Sequence, residues 1–367
     1  MNKIIDIQSR LLPDLMRVLK TRHAILRHIR HSGVIGRRAL AASLQMTERV
    51  LRGELDFLKG QGFLEAEQAG MRLTEAGLRL LDEMEPLAAE LFGLHDLQEN
   101  LRRSFGLREV VIVPGDADQS AFVKNELGRA GAAVIRKYAS PNDVVAVAGG
   151  STMAQVAEYL SPSASLKDCL FVPARGGLGE TVELQANTIA SMMAKRTGGE
   201  YRLLHVPDHL GEEAYQSLMQ DASIREIVEV IRRARMVVHG IGDAAVMAKR
   251  RKAGEPFLRT LAERGALAEA FGYYFNAEGD IVLHIPTVGL RIEDIRRTEI
   301  VIAVAGGMSK GKAIAAVLAF GHEDVLVTDE AAARTILEAA ERLRSGPENG
   351  IDGIDETGKP KRLDWES

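Results

Sequence analysis

The chain has 367 residues, 46% of them hydrophobic, with a mean hydropathy of −0.06, a globular composition long enough for two or three domains. Its 47 Lys+Arg against 51 Asp+Glu leave a net charge of −4, and the single cysteine, Cys169, excludes an intrachain disulfide and a Cys-based metal site. No apolar run approaches the roughly 18 residues of a membrane span, and the N-terminus lacks a signal peptide's apolar core, so a cytoplasmic protein without a membrane partner is expected.

The charge is uneven along the chain. Residues 1–73 hold 13 Lys+Arg and 7 Asp+Glu, a net of +6, and residues 74–367 hold 34 and 44, a net of −10. A basic head on an acidic body predicts two tasks, one of them at a polyanion. After an amphipathic start (Ile4, Ile5, Leu11, Leu12, Leu15, Leu19), residues 22–73 read as three helices and a hairpin. The first helix is expected from Arg22 to Arg30, and the second from Arg37 to Leu44 with Ala39, Leu40, Ala42 and Leu44 on its apolar face. A third is N-capped by Thr47, with Val50, Leu51, Leu55 and Leu58 at helical spacing. Two short strands then flank Gly70.

That order is a winged helix-turn-helix. Its third helix would present Thr47, Glu48, Arg49 and Arg52 to the major groove. Arg37 and Arg38 suit phosphate contacts that set register, and Arg72 suits a contact from the wing. A head that binds protein instead of DNA is the alternative; a salt-sensitive, sequence-dependent gel shift separates the two.

Between 76 and 106, Leu80, Met84, Leu87, Leu91, Leu94, Gln98, Leu101 and Phe105 form an a/d seam with one polar position. Pro86 and Gly93 interrupt it, so broken helices are expected. Self-association and a helix lying on the body both fit this pattern. From 107 to 344 the chain repeats an apolar β-branched run, a Gly-rich turn and a helix. The runs are Val110–Val113, Val144–Val147, Leu170–Val172, Met236–Val238, Ile300–Val304 and Val325–Val327. Such runs predict a doubly wound parallel sheet, with ligands at the carboxyl ends of its strands. Residues 345–367, with four Gly, two Pro and six acids, read as a disordered tail that carries the only tryptophan, Trp365.

Two turns of this α/β body share the string AVAGG, at 146–150 before Ser151-Thr152 and at 303–307 before Met308-Ser309-Lys310. Paired glycines bring backbone close to an anion, and the following helix offers unpaired N–H groups. Arg175, with Gly176 and Gly177, stands at another strand end, where a guanidinium grips phosphate or carboxylate. Gln185 and Asn187 could donate to sugar hydroxyls, although Gln185 is equally compatible with a solvated surface. The near P-loop from Gly306 to Lys312 ends in Ala313 where magnesium binding needs Ser or Thr, which argues against nucleotide hydrolysis. Gly240-Ile241-Gly242 matches GxGxxA without the acid that completes a dinucleotide site. No nucleophile elbow or zinc helix is present, so no catalytic and no metal residues are assigned. His205, His239 and His284 read as core or loop residues, and Glu269 as a hydroxyl acceptor or a buried base.

The strings Gly36-Arg37-Arg38-Ala39-Leu40, Thr47–Leu55 and Phe57-Leu58-Lys59 resemble the winged-helix head of regulators of glycolytic genes in Gram-positive bacteria. The body resembles the sugar-binding domain of SorC/DeoR-type regulators. Its markers are Pro114-Gly115, AGGST at 148–152, PARGG at 173–177, QAN at 185–187 and GIGD at 240–243. AEAFGYYF at 268–275, AVAGGMSK at 303–310 and LVTDE at 326–330 complete the set.

The resemblance covers about residues 1–340. It implies a repressor with a sugar-phosphate effector, expected to be fructose 1,6-bisphosphate, and no cofactor. It also implies a body similar to glucosamine-6-phosphate deaminase and ribose-5-phosphate isomerase without their catalytic groups. Carried over by motif, Gly149, Gly150, Ser151, Thr152, Arg175 and Lys310 are expected at phosphate, and Gly176, Gly177, Gln185, Arg250 and Glu269 at sugar or a second phosphate. Met308 stands where relatives commonly have a small polar residue. The expected organisation is a DNA-binding domain at 1–75, a helical connector at 76–106, an effector domain at 107–344 and the tail, assembled as a dimer or tetramer on operator DNA. One phosphate per AVAGG turn is the simplest division of a bisphosphate. A sugar-phosphate isomerase or deaminase with an added head is the rival, separated by a test for turnover.

Overall fold

A computed structural model of the chain describes residues 11–84, 92–177, 181–207 and 212–344; Ile4, Ile5, Pro86, Leu87, Leu91, Trp365 and the 345–367 tail lie outside them. The head consists of α1 (Pro13–Ser32), α2 (Arg37–Ser43), α3 (Glu48–Gly60), the hairpin β1 (Leu64–Glu67) and β2 (Gly70–Leu73), and α4 (Glu75–Met84). Helix α1 is 20 residues long, nine residues longer at its start than the expected Arg22. Pro13 suits the first helical turn, where its missing N–H is not needed. Beyond the core-facing Ile25, Leu26 and Ile29, the helix exposes Leu15, as does its N-cap Leu12.

The turn between α2 and α3 passes through Gln45 in the left-handed region, φ 50°. The Thr47 hydroxyl then accepts from Val50 N at 3.4 Å, the expected N-cap. Leu51, Leu55 and Leu58 are buried, but Val50 is 55% exposed, because it falls on the outward face beside Arg49. In α2 the buried pair is Leu40 and Ala41, not Ala39 and Ala42. These side chains form one core with Ile25, Leu26, Ile29 and Leu81.

The seam read across 80–105 does not form a single exposed stripe. Leu81, not Leu80, is buried in the head core. Leu94, Leu97 and Leu101 of α5 (Leu94–Phe105) are buried in the core of the body. Left-handed glycines, Gly93 and Gly106, bound that helix.

The body is built on seven parallel strands in the order β3-β13-β12-β7-β4-β5-β6. In chain order they are β3 (Glu109–Val113), β4 (Val144–Val147), β5 (Leu170–Pro173), β6 (Glu200–Tyr201), β7 (Met236–His239), β12 (Ile300–Val304) and β13 (Val325–Asp329). Helices α6 (Ala121–Tyr138), α7 (Ser151–Tyr159) and α8 (Ala186–Thr197) follow β3, β4 and β5, and α9 (Glu212–Leu218) and α10 (Ala222–Arg232) precede β7. Alternate strand residues enter opposite cores: Val237, Val301 and Ala303 on one side, Met236, Val238, Ile300 and Ile302 on the other. This two-sided burial is why the strands read as unbroken apolar runs.

Beyond β7 the chain adds a second sheet that the sequence reading did not anticipate. Four antiparallel strands run in the order β11-β10-β9-β8, comprising β8 (Gly242–Asp243), β9 (Ala268–Ala270), β10 (Tyr273–Phe275) and β11 (Ile281–His284). The GIGD string is thus a short strand, and Asp243 caps α11 (Ala244–Arg250) through Val246 N at 2.9 Å. Helices α12 (Glu255–Glu263) and α13 (Ile292–Arg297) complete this layer, and α14 (Gly311–Phe320) and α15 (Glu330–Arg344) flank β13.

Candidate functional site: a crevice where the strand order reverses

Strand β4 leads outward to one side through β5, and β7 leads to the other through β12, so the order reverses between β4 and β7. Loops at such a reversal diverge and leave a crevice. The two AVAGG turns leave β4 and β12, the two neighbours of β7, about 10 Å apart by strand spacing.

The turns are twins in backbone and opposites in occupancy. Gly150 has φ 112° and Gly307 φ 102°, a region that L side chains avoid. A Cβ on Gly149 would lie 2.7 Å from Leu184 O, and Gly150 N donates to that same carbonyl at 2.8 Å. No side chain caps the start of α7 after Gly150, so its first N–H groups, from Ser151 onward, face the crevice with the helix dipole behind them. At the second turn Gly307 N donates to Asp329 Oδ2 at 2.6 Å, Met308 N to Asp116 Oδ1 at 3.2 Å and Ser309 N to Asp118 Oδ2 at 2.7 Å. Carboxylates of the chain itself already hold these donors.

Three cationic side chains come from different elements. Arg175, after β5, is 7% exposed and donates to Glu269 Oε1 at 3.2 Å. Arg251, just past α11, donates to the same oxygen at 2.7 Å, and Gly272 N adds a bond at 2.8 Å. Burial alone pushes the Glu269 carboxyl up, but the charges of Arg175 and Arg251 outweigh it and hold its pKa low. Glu269 is therefore a carboxylate orienting two guanidiniums, not a buried base. Phe271, at φ 55°, makes the tight β9–β10 turn that returns Gly272 N to it. Lys310 is half-buried; desolvation, with the nearby Arg250 charge second, pushes its pKa down.

Other expected residues divide clearly. Gly177 approaches Gln185, whose Oε1 would lie 3.7 Å from a Cβ there, so the 175–177 and 184–187 loops line one wall. Asn187 is committed elsewhere: its amide bonds Leu204 O and Leu204 N, both at 2.9 Å. His239 is 1% exposed and bonds Glu323 Oε2 at 2.9 Å, and His284 stacks on Tyr273. Arg250, carried over by motif, brings its charge near Lys310; Arg251, which no motif named, turns inward onto Glu269 as α11 ends, and spacing does not reveal which of two adjacent arginines does so. Sequence reasoning also missed Asp116, Asp118 and Asp329, whose roles depend on contacts across some 190 to 210 residues.

In the head, Arg37, Arg38, Thr47, Glu48, Arg49 and Arg52 are all exposed. Arg38 lies 3.7 Å from Glu48. Arg72 is paired with Glu65 and Glu67, at 2.7 and 2.5 Å, so the wing carries less free charge than its sequence suggests. The head sits on the body through α1. Lys20 pairs with Glu330 at 3.1 Å, Arg27 with Glu126, and Arg129 meets His31 at 2.7 Å. His23 packs on Phe92 and His28 on Phe122.

Comparison with known proteins matches both halves. Residues 18–88 match the CggR N-terminal DNA-binding domain family, and residues 89–338 match the Sugar-bind family of sugar-binding domains. Central glycolytic genes regulators of Priestia megaterium and Bacillus subtilis are 48% and 46% identical, over 92% of this chain and 99% of each relative. The chain belongs to this family of SorC-type regulators.

A solved SorC-family transcriptional regulator from Enterococcus faecalis is 40% identical, with a TM-score of 0.62 over 66% of this chain and 100% of that one. The full-length sorbitol operon regulator SorC from Klebsiella pneumoniae covers 88% of this chain and 99% of its own at a TM-score of 0.60. At 19% identity that likeness concerns the fold alone. Among SorC-type regulators this one is a transcriptional regulator with an N-terminal DNA-binding domain and a C-terminal sugar-binding domain. Among the described residues no helix is long and apolar enough to cross a membrane, and no cluster of His, Cys, Asp and Glu suits a metal ion.

Proposed function

We propose that this chain is a cytoplasmic repressor of glycolytic genes whose hold on operator DNA is weakened by a phosphorylated sugar, fructose 1,6-bisphosphate. The observation that carries this reading is the uncapped start of α7 after Gly149-Gly150, two strands from the second turn and Lys310, with Arg175, after the neighbouring β5, and Arg251 both held by Glu269. An acidic body attracts no anion at long range, so placed cations and backbone N–H groups must supply the local positive potential. Two turns about 10 Å apart suit a hexose with a phosphate at each end.

Release of DNA requires that the effector bind one state of the protein more tightly than the other. Dimers or tetramers reading paired half-sites through Arg49 and Arg52 fit the two-fold geometry of such operators. The test is retention of a glycolytic promoter fragment in a gel shift, titrated with fructose 1,6-bisphosphate, fructose 6-phosphate and fructose. Release by the bisphosphate at the lowest concentration is expected. Turnover of a sugar phosphate by the protein, or indifference to all three, would overturn the reading.

A further inference from the structure

The second AVAGG turn is held by three carboxylates that differ in accessibility. Asp329 is fully buried and bonds Gly307 N, Ala117 N and, through Oδ1, Ala332 N at 2.8 Å; it belongs to the frame. Asp116 is half-buried and bonds Met308 N and its own loop at Asp118 N. Asp118 is exposed, yet its carboxylate holds Ser309 N at 2.7 Å, the donor next to Lys310 in the single 3-10 turn that leads into α14. It occupies the place where an incoming anion would bind.

The same loop leads directly to the seat of the head. Ser120 stands at the N-cap of α6 but does not cap it; its hydroxyl donates to Ser43 O at 3.4 Å, the last residue of the helix-turn-helix α2. Phe122, Glu126 and Arg129 of α6 then carry His28, Arg27 and His31 of the head. One residue, Gln119, separates the carboxylate on the anion turn from the hydroxyl on the DNA reader.

We propose that Asp118 is a resident anion that sets what the second turn accepts: it yields the Ser309 N–H only to a dianionic phosphoryl group, and its departure releases the Ser120 tie to the head. The physical basis is exchange. Two anions cannot share one N–H and the helix dipole behind it. A ligand carboxylate would replace like with like, whereas a phosphoryl dianion brings a second charge to Lys310 and Arg250. Once displaced, the 116–120 loop loses its anchor on the turn, and Ser120 moves with it. The proposal rests on the reading that this turn receives a phosphate of the effector.

The test compares the full chain with Asp118→Ala, which removes charge and acceptor, and Ser120→Ala, which touches neither turn. Amide hydrogen exchange is followed at 37–45 and 121–130 without ligand, and calorimetry follows binding of fructose 1,6-bisphosphate and of inorganic phosphate. Asp118→Ala is expected to exchange several-fold faster in both segments, and to bind both probes about tenfold more tightly with the like charge gone. Ser120→Ala is expected to bind them up to a few-fold more tightly, since the tie no longer has to be broken, while the effect of ligand on exchange at 37–45 disappears. Unaltered exchange at 37–45 in Asp118→Ala overturns the link to the head, and unaltered phosphate affinity overturns the competition at Ser309. If the unaltered chain binds neither probe, the effector reading falls, and faster exchange at 37–45 in Asp118→Ala still supports the tie.

Discussion

His23 makes the seating of the head sensitive to acid. It lies on α1 with 3% of its surface exposed, its ring 5.0 Å from that of Phe92 and edge-on to it. Its Nε2 is buried without a hydrogen-bond partner. Burial first, then the charges of Arg27 and Arg30, push its pKa down to about 4, from an ordinary value of about 6.5. The folded, seated head therefore favours the neutral ring. Its contribution is whole above about pH 6.5 and is lost progressively as pH falls toward 4. The full displacement corresponds to about 3 kcal/mol, of which about 2 is lost by pH 5. Urea unfolding at pH 7 and pH 5, for the unaltered chain and His23→Leu, isolates this contribution. The unaltered chain should lose about 2 kcal/mol more between the two pH values than the variant does. His28, which burial also pushes down, is present in both and cancels. An identical pH dependence in the two proteins would refute the argument.

Other expectations follow from single contacts. Glu269→Ala leaves two buried guanidiniums without their shared carboxylate and should cost about 3–5 kcal/mol in urea unfolding; a loss below about 1 kcal/mol would show that Arg175 and Arg251 do not depend on that carboxylate. Thr47→Ala removes the cap of the DNA-reading helix and should lower stability by about 1 kcal/mol, measured the same way. Arg38→Ala should weaken binding to all DNA sequences alike and reduce the salt dependence by about one charge, whereas Arg49→Ala should relax sequence preference. Competition gel shifts at several salt concentrations check both.

Much of the fold was legible in the chain because its signals are local. Val144–Val147 and Ile300–Val304 were read as strands with the bounds they have, since burial on both faces leaves an unbroken β-branched run. Thr47 was read as a cap, and the two AVAGG turns were read as twins. Less local features escaped. The start of α1 came nine residues early, because the amphipathic stretch read through Leu19 runs on into the Arg22 helix as one element. The four-stranded second sheet went unread, because strands as short as Gly242–Asp243 and Ala268–Ala270 carry too few residues for a period to register. The seam at 80–105 was real as a pattern, but Leu81 and Leu94 joined different cores, and a periodic stripe does not say what covers it.

The opening charge figures divide in the same way. Sequence alone determined that a basic head precedes an acidic body, and that glycine, hydroxyl and Lys310 stand at strand ends suited to an anion; these are properties of composition and spacing. Only the tertiary structure decided which charges are available there. It turned Arg251 inward with Arg175 onto Glu269, paired Arg72 with Glu65 and Glu67, left the first turn uncapped and placed Asp116, Asp118 and Asp329 on the second. The reason is range. A backbone turn is specified by a few neighbouring residues, whereas the potential inside it is a sum over side chains that only the folded chain brings within a few ångströms.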